Sequence, residues 1–331
     1  MPATGKAAVF TAPWEIEVRE IEFPDPGPGE VLIRTRASII SNGTESWIWS
    51  GRFHSPGRDT PYRYPVVPGY QRVGEVVALG EGATGLAVGQ RVFATVSRLE
   101  GGYSSFAGSH AEWGSTVVGE CIPLPDDVSV GDAAGLVLTQ VGYNGGTRPP
   151  VRPGWNVVVI GDGLVGQWAA QTFRARGAHV ILCGRRPRRL EIAALHSADE
   201  VIDAGSVDPC EEILRRFPGG VDVVDEAVGL LANVEAAFRM LRHDGHLVFN
   251  GYHPEGEHLM NIQWMHDKEI TCWGMAGWTR PRLDAALQWI REGKLRVRDM
   301  VTHEFGGAGA DKAYRMIRDR SEDFLGVLLR W

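Results

Sequence analysis

The hydrophobic positions follow two different patterns along the chain. Up to about residue 125, short apolar runs are separated by turn clusters rich in glycine and proline. These runs are predicted strands, and they cover residues 6–10, 15–21, 30–38, 73–80 and 90–96. Strands at such short spacing, without helical runs between them, predict a compact β-barrel or β-sandwich.

From Val151 onward, apolar strands and helical segments alternate. The predicted strands cover residues 155–161, 179–184, 200–204, 221–229 and 245–253. This alternation predicts βαβ units and a parallel sheet with helices on both faces, which is a doubly wound α/β fold. A further apolar strand, residues 269–274, follows the series and is predicted to lie at the edge of the sheet.

Length, composition and charge narrow the class of protein. A chain of 331 residues is long for a single core and suits two domains. Hydrophobic residues make up 44%, the longest apolar runs are too short to span a membrane, and the start lacks a signal-peptide pattern, so a cytoplasmic protein is expected. The net charge of −7 argues against nucleic acid or an anionic membrane as a partner. The four cysteines are widely spaced, which favours reduced thiols over a disulfide framework.

A glycine-rich loop lies between the first strand of the alternating region and the helix that follows it. Gly161 is expected to permit the tight turn, Gly163 to let the backbone approach a pyrophosphate, and Gly166 to let the helix pack closely on the sheet. Leu164 and Val165 open that helix, whose free N–H groups would face the phosphates. The sequence therefore predicts a dinucleotide site, with a ligand-free glycine turn as the alternative.

The end of the next strand bears on the choice of cofactor. An NAD site usually has an acidic residue there, whereas this strand ends in Gly184, followed by Arg185, Arg186 and Arg189. No strand-end carboxylate would repel a 2′-phosphate, and guanidinium groups are well suited to bind one. This pattern favours NADP(H) over NAD(H), and a solvated basic turn is the alternative.

Several motifs together resemble the medium-chain dehydrogenases and reductases over essentially the whole length. They are PGYQRVGEVVALG, SHAEW, CIPLPDDVSVGDAA and VRPGWNVVVIGDGLVG. The resemblance implies a GroES-like β-rich catalytic domain at residues 1–135, completed by 279–331, and a Rossmann domain at 136–278. The SNGTE stretch and the C-terminal VTHEF and LLRW stretches look most like the branch that contains bacteriochlorophyllide dehydrogenase-like and related zinc-type alcohol dehydrogenase-like proteins.

The same resemblance shows where zinc ligands would stand. The usual cysteine position holds Asn42, and the usual Gly-His-Glu reads Gly69, Tyr70, Gln71. Residues 135–146 contain no cysteine for a third ligand, and residues 98–108 lack the cysteines of a structural zinc loop. A catalytic zinc needs three ligands of Cys, His or carboxylate type, so a zinc-free protein is expected.

Without a metal, hydrogen-bond donors must stabilise the charge that develops on a substrate oxygen. Tyr70 is the first candidate for donating a proton or a hydrogen bond. Ser41 and Asn42 are candidates for polarising a carbonyl, Glu45 for a proton relay, and His110 lies on a segment that borders the cleft in the resembling family. Each has a structural alternative: an ion pair for Glu45, a satisfied core position for His110, and plain packing for Tyr70.

Aromatic residues are dense in and beside the polar stretch 50–64. Trp47, Trp49 and Tyr64 are candidates for a pocket that takes a ring-shaped or bulky small molecule, although core packing also accounts for such residues. The resemblance places the nicotinamide at two further strand ends and a cofactor phosphate near the last strand. The residues concerned are Ala227, Val228, Asn250, Gly251, Tyr252 and Arg330.

Three hypotheses about function follow. The first is a carbonyl reductase or alcohol dehydrogenase that uses NADP(H) without catalytic zinc, and the second is reduction of a polarised C=C bond or a quinone. The third is a non-catalytic NADP(H)-binding sensor.

The apolar edge strand at 269–274 also predicts a symmetric homodimer, unless the segment from Thr279 onward covers that edge and leaves a monomer.

Overall fold

The structure is a computed structural model that describes residues 3–53, 62–253 and 260–331. The chain divides into two compact units, Met1–Val137 with Val301–Trp331, and Leu138–Met300. The first boundary lies close to the predicted one. Residues 279–300, which the prediction assigned to the first domain, group with the second unit.

The first part of the chain forms mostly short strands. Their bounds, with two short helices, are β1 Ala3–Ala12, β2 Glu15–Phe23, β3 Glu30–Ile39, α1 Thr44–Trp49, β4 Val66–Val67, β5 Arg72–Leu79, β6 Arg91–Ala94, β7 Ser104–Ser105, β8 Trp113–Val117, β9 Cys121–Pro123 and α2 Val130–Ala133. The turn between β2 and β3 needs Gly29, because its φ of +71° lies in the left-handed region that side chains disfavour.

The second unit alternates strands and helices as the pattern predicts. Its elements are α3 Leu136–Thr147, β10 Asn156–Ile160, α4 Leu164–Ala175, β11 His179–Gly184, α5 Pro187–His196, β12 Glu200–Asp203, α6 Pro209–Arg216, β13 Val221–Glu226, α7 Leu231–Met240, β14 Leu241–Phe249, α8 Gln263–Asp267, β15 Thr271–Gly274 and α9 Arg280–Arg291.

The six strands of this unit form one parallel sheet in the order β12-β11-β10-β13-β14-β15. Apolar clusters cover the sheet, and Val157, Val158 and Val159 of the central strand β10 have no exposed surface. The order reverses between β10 and β13, and such a switch point is where ligands bind at the carboxyl ends of the strands. Ile160 pairs with both Cys183 and Glu226, so the glycine loop and the ends of β11 and β13 lie along one edge.

The chain returns to the first unit with β16 Val301–Gly306, α10 Ala310–Asp319 and β17 Gly326–Arg330. Strand β17 pairs antiparallel with β3 and extends a seven-stranded sheet, while β1, β2, β4 and β7 form a four-stranded one. The predicted fold class, a β-rich domain and a doubly wound parallel sheet, is confirmed. In the described part of the chain, every helix is too short or too polar to cross a membrane.

Candidate functional sites in the two units

The glycine loop has the geometry that a pyrophosphate needs. Gly161 has a φ of +124°, and a Cβ on Gly166 would overlap the carbonyl oxygen of Gly161. By contrast, no atom lies within 4 Å of the Cβ position of Gly163, which leaves its backbone open to approach. Helix α4 begins at Leu164 without a side-chain cap, so the N–H groups of its first turn, Val165 included, remain available to an anion.

A carboxylate from another segment lies at the end of β11, where the strand itself has none. A Cβ on Gly184 would lie 2.5 Å from Asp162 Cβ and Oδ2, because the Asp162 side chain reaches over from the glycine loop. Asp162 Oδ2 accepts hydrogen bonds from the N–H groups of Arg185 at 2.7 Å and Arg186 at 3.0 Å. Its Oδ1 lies 3.4 Å from Nη1 of Arg189. The side chains of Arg185 and Arg186 are exposed.

A cavity of about 390 Å³ opens at the same edge of the sheet. Its lining combines apolar side chains with a few polar groups, which suits a planar nucleoside base. The residues that matter here are Ile160, Arg185, Ser206, Asp208, Asn233 and Met240.

The turn after β13 is held by the fully buried Glu226. Its carboxylate accepts hydrogen bonds from the N–H groups of Val228, Gly229 and Leu230 and from the side chain of Asn233. The Ala227 N–H donates to Ile160 at the end of β10. Residues 227 and 228, which the resemblance assigns to the cofactor, therefore lie in a backbone turn of fixed shape beside the glycine loop.

Asp225 and Asn250 meet where β13 and β14 end. Asn250 Nδ2 donates to Asp225 Oδ2 at 3.1 Å, and both side chains are buried. Burial raises the pKa of Asp225 to about 8, with a further contribution from the Glu226 charge, while the Asn250 hydrogen bond opposes the shift. Asn250 Oδ1 is buried without a hydrogen-bond partner among the described residues. Gly251 follows it directly, and Tyr252 is partly exposed.

In the first unit, the candidates Glu45 and His110 belong to one buried network. His110 Nε2 lies 2.9 Å from Glu45 Oε2, and His110 Nδ1 lies 2.8 Å from Ser38 Oγ. The indole N–H of Trp331 donates to Ser38 Oγ at 2.9 Å. The Tyr314 hydroxyl donates to Glu45 Oε2 as well.

The partners of the His110 imidazole differ in what they can donate and accept. Glu45, as a carboxylate, accepts, so His110 donates to it from Nε2. Ser38 Oγ accepts from the Trp331 indole, which can only donate, and lies within hydrogen-bond distance of His110 Nδ1. Both ring nitrogens thus have partners within the protein, and this geometry matches the structural alternatives for Glu45 and His110.

Tyr70 lies beside this network with 4% of its surface exposed. Burial and the Glu45 charge raise the pKa of the Tyr70 hydroxyl, while its hydrogen bonds with Ser41 and Thr44 oppose the shift. The hydroxyl therefore stays protonated near neutral pH and is a hydrogen-bond donor, not a base. Glu45 Oε1 accepts from the Ser41 N–H at 3.0 Å, which links Tyr70 to the buried network through Ser41.

The side chains at the positions of the usual zinc ligands are held by hydrogen bonds within the protein. Asn42 Nδ2 donates to Leu325 O at 2.7 Å, and Gln71 Nε2 donates to Ile39 O at 3.0 Å. Within residues 3–53, 62–253 and 260–331, no group of three or more His, Cys, Asp or Glu side chains is placed to hold a metal ion. The donors present thus differ from the three ligands that a catalytic zinc requires.

The predicted aromatic pocket needs a correction. Trp49 has no exposed surface and packs in the aromatic core of its unit, so it is a core residue and lines no open pocket. The Tyr64 hydroxyl donates to carbonyl oxygens at the end of α1. Trp47 is half-buried, with the Arg52 guanidinium 5.5 Å from its ring centre. The rest of the predicted loop, residues 54–61, lies outside the described residues.

Arg330 forms an ion pair with Glu304, with Nε and Oε2 2.7 Å apart. Its role at a cofactor phosphate stays a prediction.

Several residues that contribute to these sites were not among the candidates predicted from the sequence. These residues are Ser38, Thr44, Asp162, Asp225, Glu226, Tyr314 and Trp331. Asp162 was visible in the sequence between the first two glycines of the loop motif. Thr44 lies within the SNGTE stretch, Trp331 ends the LLRW stretch, and two residues end the apolar part of the predicted strand 221–229, but none of these positions signalled a role in a site. Ser38 and Tyr314 lie outside the motifs.

Comparison with known proteins identifies the family. Residues 27–126 match the alcohol dehydrogenase GroES-like domain, and residues 165–292 match the zinc-binding dehydrogenase family. An alcohol dehydrogenase of Rhizobium meliloti (strain 1021) is 31% identical over 300 residues, covering 84% of this chain and 85% of the relative. A sorbitol dehydrogenase of Bacillus subtilis (strain 168) is 26% identical, covering 92% and 91%.

A solved structure supports the same fold. It is a putative zinc-binding dehydrogenase from Sinorhizobium meliloti 1021 bound to NADP, with a TM-score of 0.87 and 22% identity, covering 99% of this chain and 100% of that one. The chain belongs to the zinc-binding alcohol dehydrogenase family of the medium-chain dehydrogenase/reductase superfamily and is an NAD(P)-dependent oxidoreductase. The predicted superfamily is confirmed, and the narrower branch stays a prediction.

Proposed function

We propose that this protein transfers hydride between NADP(H) and a carbonyl or alcohol substrate without a catalytic zinc. The observation that carries the proposal is the pair Asn42 and Tyr70 at the ligand positions, where the first donates to a backbone carbonyl and the second keeps its proton. Glu45 and His110, two residues of types that can ligate zinc, are hydrogen-bonded to each other.

The second unit provides the groups that would hold the cofactor. Gly163 and the first N–H groups of α4 would bind the pyrophosphate, and the cavity beside Arg185 would take the adenine. The exposed guanidinium groups of Arg185 and Arg186 would bind the 2′-phosphate. When bound, NADPH supplies the hydride.

The first unit provides the hydrogen-bond donor for the substrate oxygen. During reduction of a carbonyl, negative charge grows on that oxygen, and the protonated Tyr70 hydroxyl would donate to it. Glu45 acts as a positioning residue, because its carboxylate holds the Ser41 backbone while Ser41 bonds to Tyr70. His110 and Tyr314 fix Glu45 from the other side.

The proposed homodimer rests on the outer strand of the parallel sheet. Strand β15 pairs with β14 and has no further strand beside it among the described residues. An apolar edge strand is a ready template for pairing, and a symmetric partner would add the same strand from a second chain.

Turnover assays and metal analysis test the proposed activity together. Protein purified without added metal should contain well under one zinc per chain, and a chelator should leave its activity unchanged. With NADPH, we expect reduction of aldehydes or ketones in a panel that also includes enones and quinones. Stoichiometric zinc would overturn the zinc-free mechanism. Turnover of enones or quinones alone would identify a C=C or quinone reductase. Cofactor binding without any turnover would identify a non-catalytic sensor.

A further inference from the structure

Asp162 lies at the end of β11, the position that distinguishes NAD(H) from NADP(H) in this type of site. Its side chain is 11% exposed and covers Gly184, the residue at which an NAD-type site carries its acid. We propose that Asp162 is an internal anion that occupies part of the 2′-phosphate site and thereby limits the preference for NADP(H). This inference rests on the proposed NADP(H) site.

The groups around Asp162 are those that recognise a phosphate. Two backbone N–H groups, of Arg185 and Arg186, converge on one carboxylate oxygen at 2.7 and 3.0 Å. The guanidinium of Arg189 approaches the other oxygen at 3.4 Å. Adjacent backbone N–H groups together with an arginine form a common anion-binding arrangement, and here a carboxylate of the chain itself fills it.

The absence of a side chain at position 184 makes this arrangement possible. Any Cβ there would stand 2.5 Å from Asp162 Oδ2 and would push the carboxylate away from the two N–H groups. Gly184 therefore does more than remove a strand-end acid, because it makes room for an acid that comes from the loop.

The charges around Asp162 determine whether it strengthens or weakens the preference for NADP(H). The segment after β11 carries four arginines, Arg185, Arg186, Arg188 and Arg189. Against them stand the carboxylate of Asp162 and two others near this edge of the sheet, Asp203, which pairs with Gly184, and Asp208, which lines the cavity with Arg185. The surplus of positive charge still attracts a 2′-phosphate, but a fixed carboxylate beside it opposes binding. NADP(H) is thus preferred less strongly than the arginines alone would make it.

The experiment measures binding of adenosine 2′,5′-bisphosphate and of AMP by calorimetry, without turnover. Asp162→Ala opens the donor set, and Asp162→Asn removes the charge but retains the size of the side chain. Glu191→Ala is the matched control, since it removes an exposed carboxylate on the following helix α5. We expect Asp162→Ala to bind the bisphosphate about three- to tenfold more tightly, Asp162→Asn to fall between it and the wild type, and AMP binding to stay within about twofold.

The opposite result would show that Asp162 is a clamp that holds the arginines in place. In that case both Asp162 variants would bind the bisphosphate more weakly than the wild type, and the inference would be wrong. Equal gains for AMP and the bisphosphate would also overturn it, because the effect would then be independent of the 2′-phosphate. Failure of the NADP(H) assignment looks different: the wild type would bind the bisphosphate no better than AMP, and Arg185→Ala would change neither. If Asp162→Ala does not fold, the isosteric Asp162→Asn decides the direction alone.

Discussion

His110 and Glu45 stand 65 residues apart in the chain, yet their Nε2 and Oε2 atoms lie 2.9 Å apart in a place without exposed surface. The same carboxylate also accepts from the Tyr314 hydroxyl and from the Ser41 N–H. A buried carboxylate with this many donors is well satisfied, and each donor would lose its partner if the carboxylate were removed.

Replacement of Glu45 by alanine should therefore destabilise the protein strongly. We expect a loss of about 3–5 kcal/mol in the free energy of unfolding, measured by denaturant titration, because a buried pair loses one partner. Glu17→Ala is the control: that side chain is 58% exposed and pairs with Arg19 on the surface, where a salt bridge contributes about 0–1 kcal/mol. Equal losses in the two variants would contradict the structural role of the network.

Tyr70→Phe tests the hydrogen-bond donor for the substrate. We expect kcat to fall by about 10²–10⁴ with little change in cofactor binding, as for other losses of a proton or hydrogen-bond donor at a reacting oxygen. Tyr64→Phe removes a hydroxyl that, among the residues the structure describes, donates to carbonyl oxygens at the end of α1, so its kcat should stay near that of the wild type. Full activity of Tyr70→Phe would assign the donor role to another group.

The arginines after β11 should set the response to the 2′-phosphate. Alanine at Arg185 and Arg186 is expected to weaken NADPH binding by about 1–3 kcal/mol per lost charged hydrogen bond, with a much smaller effect on NADH. Arg174→Ala, which removes a partly exposed arginine that pairs with Asp199, should alter neither affinity. Fluorescence titration of both cofactors gives the answer, and a wild type that prefers NADH would refute the assignment.

Asp225 should make stability depend on pH. Its pKa is about 8 in the folded protein and near the ordinary 3.8 in the unfolded chain, so the folded state keeps a proton that the unfolded state releases in between. The free energy of unfolding therefore falls as the pH rises from about 4 to about 8, by an amount on the order of 6 kcal/mol. Asp225→Asn should remove most of this slope in denaturation series at several pH values.

The control for that series is Asp244→Asn, the same substitution at an exposed side chain. Its pH profile should follow that of the wild type. An Asp225→Asn protein that keeps the wild-type slope would mean that another group titrates in this range.

Pairing of β15 across a two-fold axis predicts a mass of two chains by light scattering at micromolar concentration. Thr271→Lys should shift the protein toward the monomer, because the symmetric contact would bring two added positive charges together. Leu195→Lys adds the same charge at a side chain that is 73% exposed on α5, and it should leave the mass unchanged. A wild-type mass of one chain would rule out the dimer.

Local patterns in the sequence were enough to predict the alternation of strands and helices in the second unit and the position of the glycine loop. The run Val157–Val159 is apolar because β10 is covered on both faces, and Gly161 and Gly166 are required by backbone geometry within a few residues. Because both features depend on residues that are close together in the chain, they can be recognised from the sequence alone.

Contacts between distant segments were decided only by the tertiary structure. Asp162 and Gly184 come together because β10 and β11 are adjacent in the sheet, and Tyr314 reaches Glu45 across 269 residues. Trp49 shows the same limit, since an aromatic residue in a short helix has the same local pattern whether it lines a pocket or fills a core. Packing of the whole unit, which no local pattern records, placed it in the core.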